Sequence, residues 1–297
     1  AAPPPPPPPP ITTNTVTLYG VGYIPYDGPT YYVGINGNDL SNGSVNAPFA
    51  SVQHAIDMAS AGDTISIYPG HYYQSQINVD KPIHILGSGM DSTIVNGQNN
   101  YRVFSYAFEQ DSTSGDTAGF FGDTLLFADI RVENGYVYYD RGAGVYIPNS
   151  YTSIKVSRCY FYNNRTYQNS SWDNQGGAIF SEGLLLVDHS IFKSNMAGYS
   201  GGAISANHTG SEIVNSTFND NYTYYYGGAI YCNNITLVKN NIFYGNESWS
   251  GSINNYHVGG SYSLDYNDFY SPDYDPVGPN STNLTVNPDF ENLDTFT

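Results

Sequence analysis

"STFNDN", residues 216–221, decides how this chain is read, because three other stretches share its pattern: "CYFYNN" (159–164), "SIFKSN" (190–195) and "NIFYGN" (241–246). Each carries a phenylalanine followed three residues later by an asparagine. The phenylalanines, Phe161, Phe192, Phe218 and Phe243, lie 31, 26 and 25 residues apart, and Asn164, Asn195, Asn221 and Asn246 repeat those intervals. A second motif, Gly-Gly-Ala-Ile, recurs at 176–179, 201–204 and 227–230 in the same rhythm. "GAGVYI" (142–147) reads as a degenerate copy of it, and "SGSINNY" (250–256) and "YNDFYS" (266–271) as fading copies of the repeat.

A period near 25 that holds short apolar runs and turn residues, and no helical spacing, predicts a parallel β-solenoid. Each coil stacks on the last at strand spacing, about 4.8 Å, so equivalent residues form columns. The phenylalanines then make an internal aromatic stack. Ile179, Ile204 and Ile230 make an aliphatic one. The asparagines form an amide ladder at a tight turn, where Asn also tolerates left-handed backbone angles. The Gly pairs bend the chain between sheets where a Cβ would obstruct.

Upstream, the pattern changes. "APFASVQHAIDMASAGDTISIYPG" (47–70) spaces Val52, Ala55, Ile56 and Ala59 as a helix does, with Ser51 as N-cap and Gly62 as its end. "DTISIYPG" and "KPIHILGSG" then alternate as strands, and His84 between Ile83 and Ile85 is expected to face outward. Ile11, Val16 and Leu18 give residues 11–30 a strand-like segment, and Pro3, Pro4, Pro5, Pro6, Pro7, Pro8, Pro9 and Pro10 form an extended polyproline rod. The chain therefore divides into a polyproline arm (1–10), an extra strand or linker (11–30) and a solenoid (31–297).

With 9 Lys and Arg against 26 Asp and Glu, the net charge is −17, which argues against nucleic acid and anionic membranes as partners. No apolar run reaches the roughly 18 residues of a membrane span. Tyr numbers 30 and Gly 31, giving a hydroxyl-rich surface of extracellular type. A chain that opens on Ala1-Ala2 reads as one secreted through a cleaved signal peptide. Cys159 stands in the column of Ser190, Ser216 and Asn241, and Cys232 follows Ile230 on another strand, so two buried free thiols are expected rather than a disulfide.

These residues resemble a known family. Residues 31–89, with a Tyr-Tyr-Val strand, an Asn/Gly/Asp turn, a Pro-Phe-led helix and a Gly-Asp-Thr-Ile strand, are similar to the opening of right-handed parallel β-helix proteins of the pectate-lyase-like superfamily. The Gly-Gly-Ala-Ile and Phe-x-x-Asn repeats resemble those of polymorphic outer-membrane and archaeal adhesin-like proteins, and "NLTVNPDF" (283–290) resembles their last coil. The resemblance implies an all-β, right-handed parallel β-helix with a short N-terminal capping helix and an extended Pro-rich arm. It implies no single function, since lyases, hydrolases, adhesins and structural proteins share this fold.

For catalysis the residues offer little. Arg158 and Arg165 flank the Phe161 strand as a local basic patch, but no acidic cluster stands at fixed spacing from them, and the six histidines are scattered. A non-enzyme is expected, with no cofactor. The one acidic group, Asp265, Asp268, Asp273 and Asp275, offers oxygen ligands suited to a structural Ca²⁺, though not in EF-hand spacing. Among the Asn-x-Ser/Thr sites, Asn169, Asn207, Asn234 and Asn280 fall in expected loops and are the glycan-acceptor candidates, whereas Asn164, Asn221 and Asn246 belong to the inward ladder. The leading expectation is a secreted cell-surface structural protein, a subunit that polymerises head to tail when its arm packs on another copy by strand addition. The alternatives are a monomeric adhesin that binds surface glycans, with Tyr224, Tyr225 and Tyr226 on view, and a polysaccharide lyase or hydrolase.

Overall fold

Each coil begins in a short run where alternate residues are apolar, and the chain turns where polar residues and glycines break the alternation. The protein is described here by a computed structural model covering residues 29–107, 124–167, 172–249, 258–270 and 283–284. Short strands pair in parallel from coil to coil, and about six turns build a parallel β-solenoid. The first sheet runs through Thr64–Ile67, His84–Leu86, Leu125–Ala128, Ser153–Ser157, Leu184–Asp188 and Glu212–Val214. The second stacks Gly70–Tyr72, Thr93–Asn96, Arg131–Glu133, Tyr160–Tyr162, Ile191–Lys193, Thr217–Asn219, Ile242–Tyr244 and Asp268–Tyr270. A narrow third sheet holds Tyr136–Val137, Arg165–Thr166, Met196–Ala197, Tyr222–Thr223 and Glu247–Ser248. The fourth holds Ile77–Val79, Phe104–Tyr106, Val145–Ile147, Ile179–Ser181 and Ile204–Ala206. The strand Ile230–Lys239 runs without a break from the fourth sheet into the first, joining them.

Register makes the columns. Phe161 pairs with Phe192, Phe192 with Phe218, Phe218 with Phe243, and Phe243 with Phe269. Their rings stack 4.9, 4.8, 5.0 and 4.7 Å apart and within 12° of parallel. Ile179, Ile204 and Ile230 form a second column, bounded by Val145 and Val258. All of these side chains are buried.

Two polar ladders flank the second sheet. Asn164 Nδ2 donates to Asn195 Oδ1 (3.1 Å), Asn195 Nδ2 to Asn221 Oδ1 (3.0 Å), and Asn221 Nδ2 to Asn246 Oδ1 (2.8 Å). The same oxygens accept the backbone N–H of the preceding coil, so an amide at the turn replaces a missing sheet bond. At the other corner Ser190 Oγ, Ser216 Oγ, Asn241 Oδ1 and Asn267 Oδ1 do the same for Cys159, Ser190, Ser216 and Asn241. The left-handed residue is not the ladder residue but the one before it: Asn163, Ser194 and Asp220 at one corner, and Arg158, His189, Asn215 and Asn240 at the other. The physical reason is direction. The left-handed residue points its side chain out and swings the next one in.

At the Gly-Gly corner, Gly201 has φ 64°, and a Cβ on Gly202 would lie 2.0 Å from the Gly228 carbonyl oxygen, so neither position tolerates a side chain. The helix Val52–Met58 is capped by Ser51, whose hydroxyl accepts from His54 N–H, and it buries Val52, Ala55 and Ile56. It stops before Ala59 rather than running to Gly62: Ala59 is extended, and its N–H already satisfies the carbonyls of Ala55 and Ile56. Cys159 and Cys232 are free and buried. Residues 1–28 lie outside the described residues, and with them Pro3–Pro10, Ile11, Val16 and Leu18.

Candidate functional site

Aromatic side chains gather where the third sheet turns toward the fourth. The residue that follows each third-sheet strand occupies one column, because Val137 pairs with Thr166, Arg165 with Met196, Ala197 with Thr223, and Thr223 with Ser248. That column reads Tyr138, Tyr167, Gly198, Tyr224, Trp249. The rings of Tyr138 and Tyr167 are 4.2 Å apart, and those of Tyr224 and Trp249 are 6.1 Å apart. Beside the gap left by Gly198, Trp172 packs on Tyr199 at 4.7 Å. Tyr199 in turn meets Tyr225 at 5.3 Å and Tyr226 at 5.6 Å.

Part of this group faces solvent, while Tyr199 is buried beneath it. Trp172 is 72% exposed and Trp249 70%, and these are the chain's two tryptophans. Tyr138 and Tyr139 are exposed as well. Burial, with Tyr226 nearby, pushes the Tyr199 phenol up to about 12. A hydrogen bond with Tyr139 holds Tyr138 above the ordinary tyrosine range. These phenols therefore stay neutral at physiological pH.

A cavity of about 430 Å³ opens at one end of this edge, lined by Gln76, Asn100, Tyr101, Arg102, Ser105, Tyr136, Val137, Tyr138 and Asp140. Its guanidinium is committed: Arg102 Nη2 donates to Asp140 Oδ2 (2.6 Å) and to the Arg141 carbonyl (2.7 Å), Nε donates to the Gly142 carbonyl (3.0 Å), and the group lies 4.3 Å over the Tyr146 ring.

The other residues singled out in the sequence are placed as follows. Asn164, Asn195, Asn221 and Asn246 are buried, with their amides spent in the ladder. Asn207 is half-buried and donates to Glu182 Oε1 (2.9 Å), while Asn234 is exposed and donates to the Asn207 carbonyl. Asn169 and Asn280 lie outside the described residues, as do Asp273 and Asp275. Asp265 ends the strand Val258–Asp265 and Asp268 begins Asp268–Tyr270, across a two-residue turn. Among the described residues no group of three or more His, Cys, Asp or Glu side chains is placed to hold a metal. Arg158 is held by both oxygens of Asp129 at 2.7 and 2.6 Å, and Arg165 Nε donates to Asn163 Oδ1, so the two do not form a joint basic patch. His84 is half-exposed, and its Nδ1 accepts from Leu126 N–H, pinning one coil to the next. No helix among the described residues is long and apolar enough to cross a membrane.

Sequence reading picked out Tyr224, Tyr225 and Tyr226 but missed the column around them. The available signal was one aromatic after each short third-sheet strand, and it was masked by Gly198.

The Chlamydia polymorphic membrane protein repeat matches residues 158–182 and 215–233. The two matched stretches, 25 and 19 residues long, both fall within the solenoid. No curated protein matches the chain. Among solved structures, pectin methylesterase from carrot aligns at 15% identity and a TM-score of 0.30, over 82% of this chain and 72% of that one. At that distance the likeness says nothing of activity.

Proposed function

We propose that this protein is a cell-surface, adhesin-like binding protein without catalytic activity, and that the aromatic edge of the solenoid is its contact face. One observation carries this reading: large aromatic side chains line one edge instead of the inside, with Tyr138 and Trp249 exposed in a single column and Trp172 exposed beside it. Exposed apolar area of this kind on a soluble surface marks an interaction site, and Tyr and Trp give contact area and hydrogen bonding together. The surface-type repeat in two stretches supports the location.

The test is retention. Beads coated with the protein are expected to hold cells or insoluble extracellular polysaccharide, and the Trp172→Ala/Trp249→Ala double variant to hold markedly less. Equal retention by the variant would move the contact face elsewhere, and release of soluble products from the polysaccharide would restore the enzyme reading. Self-assembly through residues 1–18 is a separate proposal that rests on sequence alone. There, deleting those residues should turn a polymer into a monomer in negative-stain images, and polymers that survive the deletion would end it.

A further inference from the structure

The cavity beside Tyr138 gathers into one concave site polar side chains that the chain itself leaves unbonded. Some surface amides pair across coils, as Asn163 donates to Asn134 at 2.6 Å, Asn233 to Asn207 at 2.7 Å and Asn240 to Asn215 at 3.3 Å, whereas others, such as Asn46 and Asn99, make no side-chain hydrogen bond among the described residues. Among the described residues, no hydrogen bond within the chain engages the side chains of Gln76, Asn100 or Ser105, although all three line the cavity. Two amides and a hydroxyl that stand unpaired in a concave site are donors and acceptors held ready for an outside partner.

The remaining lining narrows the chemistry. Tyr101, Tyr136 and Tyr138 contribute rings, and Tyr101 and Tyr138 are each more than half exposed. A ring face accepts the C–H face of a flat, hydroxyl-bearing ligand while neighbouring amides bond its rim. The one cation in the lining, Arg102, is paired with Asp140 and bonded to two carbonyls, which offsets its pull on an anionic ligand. Asp140 uses Oδ2 for Arg102 and Oδ1 for the Arg141 N–H, and its other lone pairs can accept from hydroxyls. The pair is neutral as a unit, and a chain of net charge −17 repels anions from a distance.

We infer that this cavity binds a neutral, hydroxyl-rich glycan, with a pyranose stacked on Tyr101 or Tyr138 and its hydroxyls bonded by Gln76, Asn100, Ser105 and Asp140. The volume, about 430 Å³, falls within the roughly 300–1,000 Å³ usual for small-ligand sites. From Tyr138 the aromatic column continues along the stacking direction, one coil per strand spacing of about 4.8 Å, close to the length of one sugar unit. A longer chain therefore has further rings to lie on. This inference rests on the surface-binding reading above and specifies its ligand.

Isothermal titration of the whole chain with short neutral oligosaccharides (gluco-, galacto-, manno- and N-acetylglucosamine series) and with oligogalacturonate tests it. Binding of a neutral oligosaccharide is expected, with oligogalacturonate much weaker. Tyr101→Ala and Tyr138→Ala should each weaken binding about three- to tenfold, the worth of one aromatic contact, and Asn100→Ala by a similar factor. All three side chains are exposed, so circular dichroism should match the parent. Neutral binding that all three variants leave unchanged would overturn the assignment to this cavity. Equal affinity for the uronate would overturn the neutral class. If no oligosaccharide binds while the coated beads still hold cells, the glycan inference falls and the surface-binding reading stands. Beads that hold nothing would remove both.

Discussion

Replacing Asn195 by alanine tests the ladder that holds the coils together. The Asn195 side chain makes four buried hydrogen bonds. It accepts from Asn164 N–H (3.0 Å) and Asn164 Nδ2 (3.1 Å), and it donates to the Phe161 carbonyl (3.0 Å) and Asn221 Oδ1 (3.0 Å). Two partners keep another bond: Asn164 Nδ2 still reaches the Val132 carbonyl, and Asn221 Oδ1 still accepts Asn195 N–H. The Asn164 backbone N–H loses its acceptor in a buried turn, at about 1–3 kcal/mol, and the other three bonds contribute about 0.5–1.5 kcal/mol each. The expected loss is about 3–7 kcal/mol, against a total stability of about 5–15 kcal/mol for an ordinary domain. Asn195→Ser should recover part of it, because Ser190 and Ser216 serve as backbone acceptors in the other ladder. The control is Asn233→Ala, an exposed amide bonded across coils at 2.7 Å, expected within about 0.5 kcal/mol of the parent. Urea unfolding followed by circular dichroism gives the size of the effect. Hydrogen exchange of the 161–166 and 191–197 segments gives its place, since a solenoid loosens coil by coil. If Asn195→Ala costs no more than Asn233→Ala, the ladder is not what holds these turns.

Two further outcomes follow from the core. Phe218→Ala removes the middle ring of a stack with neighbours at 4.8 and 5.0 Å and should cost about 3–5 kcal/mol in the same urea titration; a loss under about 1 kcal/mol would mean the column packs loosely. Burial raises the Cys159 and Cys232 thiols from 9.0 to about 12. A folded-state pKa above the unfolded one means the stabilising contribution is complete below pH 9 and is lost as pH climbs toward 12. Stability should therefore be flat through neutral pH and decline on that alkaline limb, with a shallower decline in Cys159→Ala. Identical limbs in the two proteins would contradict the assignment.

The solenoid was legible because parallel stacking writes itself into sequence. A residue that must lie on its own copy one coil away recurs at the coil length, and Phe161, Phe192, Phe218 and Phe243 do so without interruption. The aromatic edge was not legible for the opposite reason. Its column is broken at Gly198, it lies in the variable segment after a two-residue strand, and 30 tyrosines hide five positions. The cavity was still harder to see. It joins Gln76 and the 100–105 segment to residues 136–140, through coils whose steps are 42 residues from Ile85 to Phe127 and 41 from Phe104 to Val145, where no constant period guides the eye. Turn geometry was misassigned by one residue: the left-handed position precedes the ladder residue, and Asn163, Asn215 and Asn240 hold it alongside Arg158, His189 and Ser194 because the corner requires an outward side chain.

The emission of the two tryptophans tests the aromatic edge most directly, because Trp172 and Trp249 both lie on it, 72% and 70% exposed. Free, they should emit as water-exposed indoles and be quenched readily by iodide. Adding a polymeric neutral glycan that the protein retains should shift the emission to shorter wavelength and protect it from iodide. Retention of that glycan with emission and quenching unchanged would place the contact elsewhere on the solenoid and contradict the proposed function.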